Sequence, residues 1–249
     1  MKLLIVRLSS LGDVVHTLPL AENAHAAGAT VGWLVERRFA GLLDGNPHCA
    51  QIFAADTKGW RRRPFAAATR AAISSLGRAL QAFAPDQTID AQGLWKSAVL
   101  ARWAGAPVAG FALSERREPA STWLCSIRVR PAADLRHIVD RNLALLSPAG
   151  IPVTVRAPDA GYLLSQPSAA ADAFLATVPR PFAMLHAGAG HATKAWGKER
   201  FVRLAQGLLR ERGLFPVLSW GPGDERRVAR LRALLPEATR RLLLLLLSA

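Results

Sequence analysis

The sequence predicts an α/β protein of doubly wound parallel sheets, and three observations predict it. Short apolar runs alternate with helix-length stretches along the chain. Small-residue turns follow the apolar runs, as Ser9-Ser10-Leu11-Gly12-Asp13 follows Leu3 to Val6. The rhythm restarts after a stretch marked by Pro152, Pro158 and Pro167. Such alternation implies a mainly parallel sheet with helices on both faces.

The elements follow in order. The opening MKLLIVRLSSLGDVVHTLP predicts a strand at 3–6, a tight loop, and a helix over 14–27. Strands are predicted at 31–35, 87–90 and 108–111, and helices at 66–84 and 94–103. A helix over 137–146 closes a first domain, residues 1–150. The second domain, residues 151–249, begins with a strand at 182–186 and a Gly/Ala loop. A helix at 199–212, a strand at 215–219, the loop Gly221-Pro222-Gly223 and a helix at 225–235 follow. The chain then reads Arg240-Arg241, the leucines 242–247, Ser248 and Ala249. This second sheet reads as incomplete against the about five or six strands of an average sheet.

Composition bounds the function. Hydrophobic residues make up 51% of the 249, enough for a sizeable core. No apolar run reaches the roughly 18 residues that span a bilayer. Arg7 interrupts an apolar stretch already too short for a signal peptide. Cys49 and Cys125 lie far apart with no metal-ligand spacing, so reduced thiols in a cytosolic protein are expected. The 32 Lys+Arg against 18 Asp+Glu give a net charge of +14. That charge draws nucleic acid, anionic lipid or phosphorylated substrates, although an Arg-rich composition can equally reflect a GC-rich genome. The aromatic residues are too dispersed for a base-stacking platform, so no specific nucleic-acid partner is expected.

Ligands of open α/β sheets bind outside the carboxyl ends of the strands. Ser9, Ser10, Gly12 and Asp13 form one such loop. Gly12 lets the backbone turn or approach a ligand, and Asp13 either caps a helix or acts as a base. The absent Gly-x-Gly-x-x-Gly pattern speaks against dinucleotide binding. Asp90-Ala91-Gln92-Gly93-Leu94-Trp95-Lys96-Ser97 forms a second loop. It brings the Asp90 carboxylate, the Gln92 amide and the Lys96 ammonium to the same edge; the plain alternative is a capped helix with a solvated lysine. Arg61, Arg62 and Arg63, and Arg116-Arg117, are basic clusters in predicted loops. They are suited to phosphate or carboxylate, or are simply solvated. His186-Ala187-Gly188-Ala189-Gly190, followed by Lys194 and Trp196, offers small residues, amides and a lysine to a diphosphate. It lacks the Gly-Lys-Ser/Thr order of a Walker loop. Glu225 either accepts from a ribose or favours a helix N-terminus.

Together these pieces resemble the lipopolysaccharide heptosyltransferases of glycosyltransferase family nine, most of all their heptosyltransferase I branch. The resemblance rests on Ser9-Ser10-x-Gly12-Asp13-Val14-Val15-His16-Thr17-Leu18-Pro19 and on Asp90-Ala91-Gln92-Gly93-Leu94-x-Lys96-Ser97-Ala98. It rests also on Arg117-Glu118-Pro119-Ala120-Ser121, on His137-x-Val139-x-Arg141-Asn142, and on His186-Ala187 followed by Lys194-x-Trp196. The resemblance implies a GT-B architecture of two Rossmann-like domains, the second incomplete. It implies an acceptor domain for the Kdo-bearing lipid A precursor and a donor domain for ADP-heptose. It also implies a cytoplasmic enzyme, peripheral on the anionic inner-membrane surface. Transfer of L-glycero-D-manno-heptose would invert the anomeric centre with no metal or other cofactor. Asp13 would be the general base and Lys194 would steady the leaving diphosphate. His186, Gly188, Ala189 and Glu225 would meet the donor. Ser9, Ser10, Gly12, Gln92, Lys96, Arg61, Arg62, Arg63 and Arg117 would meet the acceptor.

Two departures stand out. Gly188 and Ala189 replace hydroxyl residues common in relatives, and no Asp-Thr-Gly…His donor loop occurs. The leucine run at 242–247 reads as the truncated end of that domain, which predicts weak or no transfer. The alternative function is a non-catalytic basic α/β protein that binds nucleic acid or anionic membrane.

Overall fold

The computed structural model describes residues 1–115, 118–165, 168–188, 195–221, 223–235 and 244–246. The chain divides into two units, Met1–Ser165 and Gln166–Ala249.

The first unit holds six strands: β1 (Lys2–Val6), β2 (Thr30–Glu36), β3 (Gln51–Ala55), β4 (Gln87–Asp90), β5 (Val108–Phe111) and β6 (Ile127–Val129). Its helices are α1 (Leu11–Val15), α2 (Leu18–Ala26), α3 (Thr57–Arg62), α4 (Ala67–Phe83), α5 (Trp95–Trp103) and α6 (Ile138–Leu143). The strands run in the order β3-β2-β1-β4-β5-β6, every neighbouring pair parallel. The order reverses direction between β1 and β4, the switch point where doubly wound sheets open a crevice. Register brings the strand ends there together: Val6 stands opposite Leu34 on one side and Asp90 on the other.

Helices on both faces explain why Leu3 to Val6 of β1 is an unbroken apolar run. Leu3 and Ile5 enter one core with Trp33, Leu20 and Leu143; Leu4 and Val6 enter the other with Leu34, Phe53 and Leu80. Gly32 on β2 allows a close approach to the helix above it. A Cβ there would lie 2.9 Å from the Phe83 ring, closer than packed atoms tolerate.

The predicted helix over 14–27 is two helices. α1 starts at Leu11, and His16–Thr17 separates it from α2, where Pro19 occupies a first-turn position that needs no N–H partner. The predicted loop around Arg61–Arg63 is helical through Arg62, because Asp56 caps α3 by accepting from Gly59 N–H at 2.9 Å. The edge strands β3 and β6 go beyond the sequence reading.

The divide falls at Ser165 rather than at residue 150. Buried Asn23 holds the intervening stretch to the first unit. Its Nδ2 donates to the carbonyls of Pro19 and Val155, both at 2.7 Å. Its Oδ1 accepts from the N–H of Thr154 at 2.6 Å and of Val155 at 3.0 Å. Ile151 is buried in the same core as Trp33, and Tyr162 Oη donates to Leu42 O at 2.5 Å.

The second unit comprises α7 (Ala169–Ala176), β7 (Phe182–His186), α8 (Lys198–Arg212), β8 (Phe215–Trp220), α9 (Glu225–Leu234) and β9 (Leu244–Leu246). The strands pair in parallel in the order β7-β8-β9.

Candidate functional site

The β1–α1 loop is built around a carboxylate. Asp13 sits in the first turn of α1 and closes a capping box: its Oδ2 accepts from Ser10 N–H at 2.9 Å and from Ser10 Oγ at 2.8 Å. Its Oδ1 pairs with Arg7 Nη2 at 2.9 Å. The two readings of Asp13 are therefore compatible. It caps the helix, and its side chain is still 39% exposed. Burial alone would push its carboxyl pKa up. The Ser10 N–H and the Arg7 guanidinium outweigh that and hold it below the ordinary carboxylate value.

Arg7 carries no signal in the sequence beyond that of a charge ending an apolar run. Its side chain is 8% exposed and donates through Nη1 to Ala91 O at the end of β4. Burial pulls its pKa down, opposed by Asp13 and Asp90. Asp90 is wholly buried and accepts from the N–H groups of Gln92 and Gly93, each at 3.2 Å.

Gln92 ties the two loops together. Its Oε1 accepts from the N–H of Leu8 at 2.7 Å and of Ser9 at 3.3 Å, while its Nε2 donates to Ser9 Oγ at 3.2 Å. Lys96 opens α5 and lies 3.7 Å from Glu36, a buried carboxylate at the end of β2. Glu36 also accepts from Thr57 N–H at 3.3 Å and from Thr57 Oγ1. Ser9, Ser10, Asp13, Gln92 and Lys96 thus share one strand edge, with Arg7, Glu36 and Asp90 beneath them. Gly12 does not make the turn. It lies inside α1, and the space beside its Cα is open.

Two further motif pieces support this edge. Glu118 accepts from Trp95 N–H at 2.6 Å, and Ser121 Oγ donates to Gly93 O at 3.3 Å. Asn142 Nδ2 donates at 3.3 Å to His16 O and to Thr17 Oγ1, while His137 meets His16 edge-on with centroids 6.1 Å apart. Arg61, Arg62 and Arg63 are exposed beyond β3. Arg117 lies outside the described residues.

In the second unit His186 ends β7, with Nδ1 3.2 Å from Ser219 Oγ on β8. Glu225 accepts from Gly223 N–H at 2.9 Å, which lowers its carboxyl pKa. Gly188 is enclosed: a Cβ there would stand 2.6 Å from Asp224 Oδ2 and 2.8 Å from His186 Nε2. Asp224 is a neighbour the sequence reading did not single out. Ala189 and Lys194 lie outside the described residues. Among the described residues no group of three or more His, Cys, Asp or Glu could hold a metal ion.

The profile of glycosyltransferase family 9 (heptosyltransferase) matches residues 73–246. Lipopolysaccharide heptosyltransferase 1 of Pseudomonas aeruginosa is 34% identical over 96% of this chain and 66% of its own length. The Escherichia coli K12 protein of the same name is 34% identical over 93% of this chain and 72% of its own length. The chain thus spans about two thirds of these relatives. The solved structure of E. coli heptosyltransferase WaaC with ADP-2-deoxy-2-fluoro heptose superposes with a TM-score of 0.76 at 30% identity, covering 100% of this chain and 76% of that one. The two parallel-sheet units have the GT-B fold of those enzymes. The chain belongs to glycosyltransferase family 9, the heptosyltransferases.

Proposed function

We propose that this protein transfers L-glycero-D-manno-heptose from ADP-heptose to the Kdo-lipid A inner core, with inversion at the anomeric carbon. The observation that carries the reading is the geometry of Asp13. An ionised carboxylate has about four acceptor positions. Ser10 N–H, Ser10 Oγ and Arg7 occupy three of them, leaving one on Oδ1. The acceptor hydroxyl gives its proton to Oδ1 as its oxygen bonds to the anomeric carbon. The bond from that carbon to the diphosphate oxygen breaks on the opposite face, and ADP leaves with the electron pair. A single displacement of this kind inverts the centre.

Lys96 and Arg61, Arg62, Arg63 and Arg117 supply the cations that an anionic acceptor requires. His186, Gly188, Ala189 and Glu225 bind the donor, and Lys194 stabilises the charge growing on the diphosphate. Calorimetry with ADP-heptose, together with mass detection of heptosylated Kdo-lipid A, tests the reading. A chain that neither binds the nucleotide sugar nor adds heptose overturns it. Gly188→Ala probes the donor loop: the crowding by Asp224 and His186 is expected to weaken ADP-heptose binding about tenfold, or about 1.4 kcal/mol. Unchanged affinity in the titration would remove Gly188 from the donor site.

The anionic inner-membrane surface is the proposed place of action. No helix among the described residues is long and apolar enough to cross a membrane. Phe65 is 87% exposed beside Arg61–Arg63, and Trp123 is 75% exposed in a pocket with Arg128 and Arg130. Apolar rings set among cations suit an anionic bilayer surface. Sedimentation with phosphatidylglycerol vesicles is expected to carry the protein down at low salt and to fail with neutral vesicles. Equal binding to both would sink this placement.

A further inference from the structure

The base is not held by its own loop alone. Arg7 pairs with Asp13 at 2.9 Å, and wholly buried Asp90, the chain neighbour of Ala91, carries a charge that also favours the guanidinium. The other amino group of Arg7 is fixed on Ala91 O, just past the end of β4, and among the described residues its Nε has no hydrogen-bond partner. A buried guanidinium with one counter-ion would lose it whenever that ion took up a proton, at a steep cost. With Asp90 behind it, Arg7 keeps a negative neighbour when Asp13 is protonated.

We propose that Arg7, backed by Asp90, is a positioning residue for the transfer: it fixes Asp13 Oδ1 as the atom that receives the acceptor proton and lets that carboxylate be neutralised without leaving a lone buried cation. The three groups carry a net charge of −1 before the proton moves and zero after it. The proton moves from acceptor hydroxyl to Oδ1, and Arg7 stays charged throughout. The register of β1 with β4 sets the arrangement, because it places Val6 opposite Asp90 and so brings Arg7 to Ala91.

This role presumes the heptosyl transfer proposed above, and its test has a readout that does not depend on turnover. In the full chain, Arg7→Met is expected to lower kcat about 100-fold with the KM for ADP-heptose nearly unchanged, the scale of a misplaced reacting group. Arg7→Lys, which keeps the charge, is expected to recover about tenfold of that loss. Carbon NMR of the Asp13 carboxyl is expected to titrate at higher pH in Arg7→Met. It is expected to titrate at lower pH in Asp90→Asn, which leaves Arg7 facing Asp13 alone. Asp90→Asn also serves if Arg7→Met does not fold. A kcat in Arg7→Met within twofold of the wild type, or an Asp13 titration unmoved in the folded variants, overturns the assignment. If the wild-type chain adds no heptose, the transfer reading fails on that measurement, and the Asp13 titration alone judges Arg7 and Asp90.

Discussion

Asp13→Asn is expected to cut the rate of heptose transfer roughly 1,000-fold, within the range of about 10²–10⁴ for loss of a general base. Asparagine keeps the shape of the side chain and can still accept from Ser10 or Arg7. It cannot take a proton. The groups proposed to bind the donor lie in the second unit, so ADP-heptose affinity is expected to stay within about twofold. Single-turnover assays on saturating donor, with calorimetry as the control, check this. A rate within tenfold of the wild type would show that another group removes the acceptor proton.

The pH profile gives a second view of the same residue. The folded pKa of Asp13 is depressed, chiefly because the Ser10 N–H and Arg7 overcome the opposing effect of burial. The stability it contributes is therefore fully present above the ordinary aspartate value of about 3.9 and is lost as pH falls through the lower folded value. The acid limb of transfer is expected below that ordinary value as well. At 39% exposure the energetic contribution of the pair is small after screening. The effect of the substitution on rate should thus far exceed its effect on stability.

Trp33→Ala is expected to destabilise the first unit by about 3–5 kcal/mol, the usual cost of emptying a large aromatic site. Trp33 is fully buried on β2, in the core shared by Leu3, Ile5 and Leu20. Its Nε1 also donates to Arg7 O at 3.4 Å, just before the site loop. The truncation therefore opens a cavity and frees a buried carbonyl in one step. Urea denaturation should show the loss as an earlier midpoint for unfolding of the first unit. A loss under about 1 kcal/mol would mean that neighbouring side chains collapse into the gap.

Much of the fold is legible along the chain because its signals are local. β4, β5 and β7 occupy the stretches predicted for them, 87–90, 108–111 and 182–186. A central parallel strand such as β1, apolar from Leu3 to Val6 on both faces, needs no alternation to be recognised. β3 and β6 escape that reading for the complementary reason. They are the edge strands, and Gln51 and Arg128 interrupt runs already short. α3 escapes because Gly59 and the arginines give no apolar periodicity; Asp56 and the docking of Thr57 on Glu36 make the turn helical.

The site divides in the same way. Asp13, Gln92 and Lys96 are visible as polar residues just past strand-like runs, and the ordered motif pieces identify the family. The strand–helix rhythm, the loops that carry chemistry and the kinship with the heptosyltransferases can thus be read along the chain. It took the folded chain to reveal that Arg7 holds Asp13, that Gln92 ties the loops after β1 and β4, that Glu36 faces Lys96 and that residues 151–165 belong to the first unit. The physical reason is range. Helix and strand periodicity is written within a few residues, whereas these pairings depend on strand register, which brings together groups such as Arg7 and Ala91 that lie 84 residues apart.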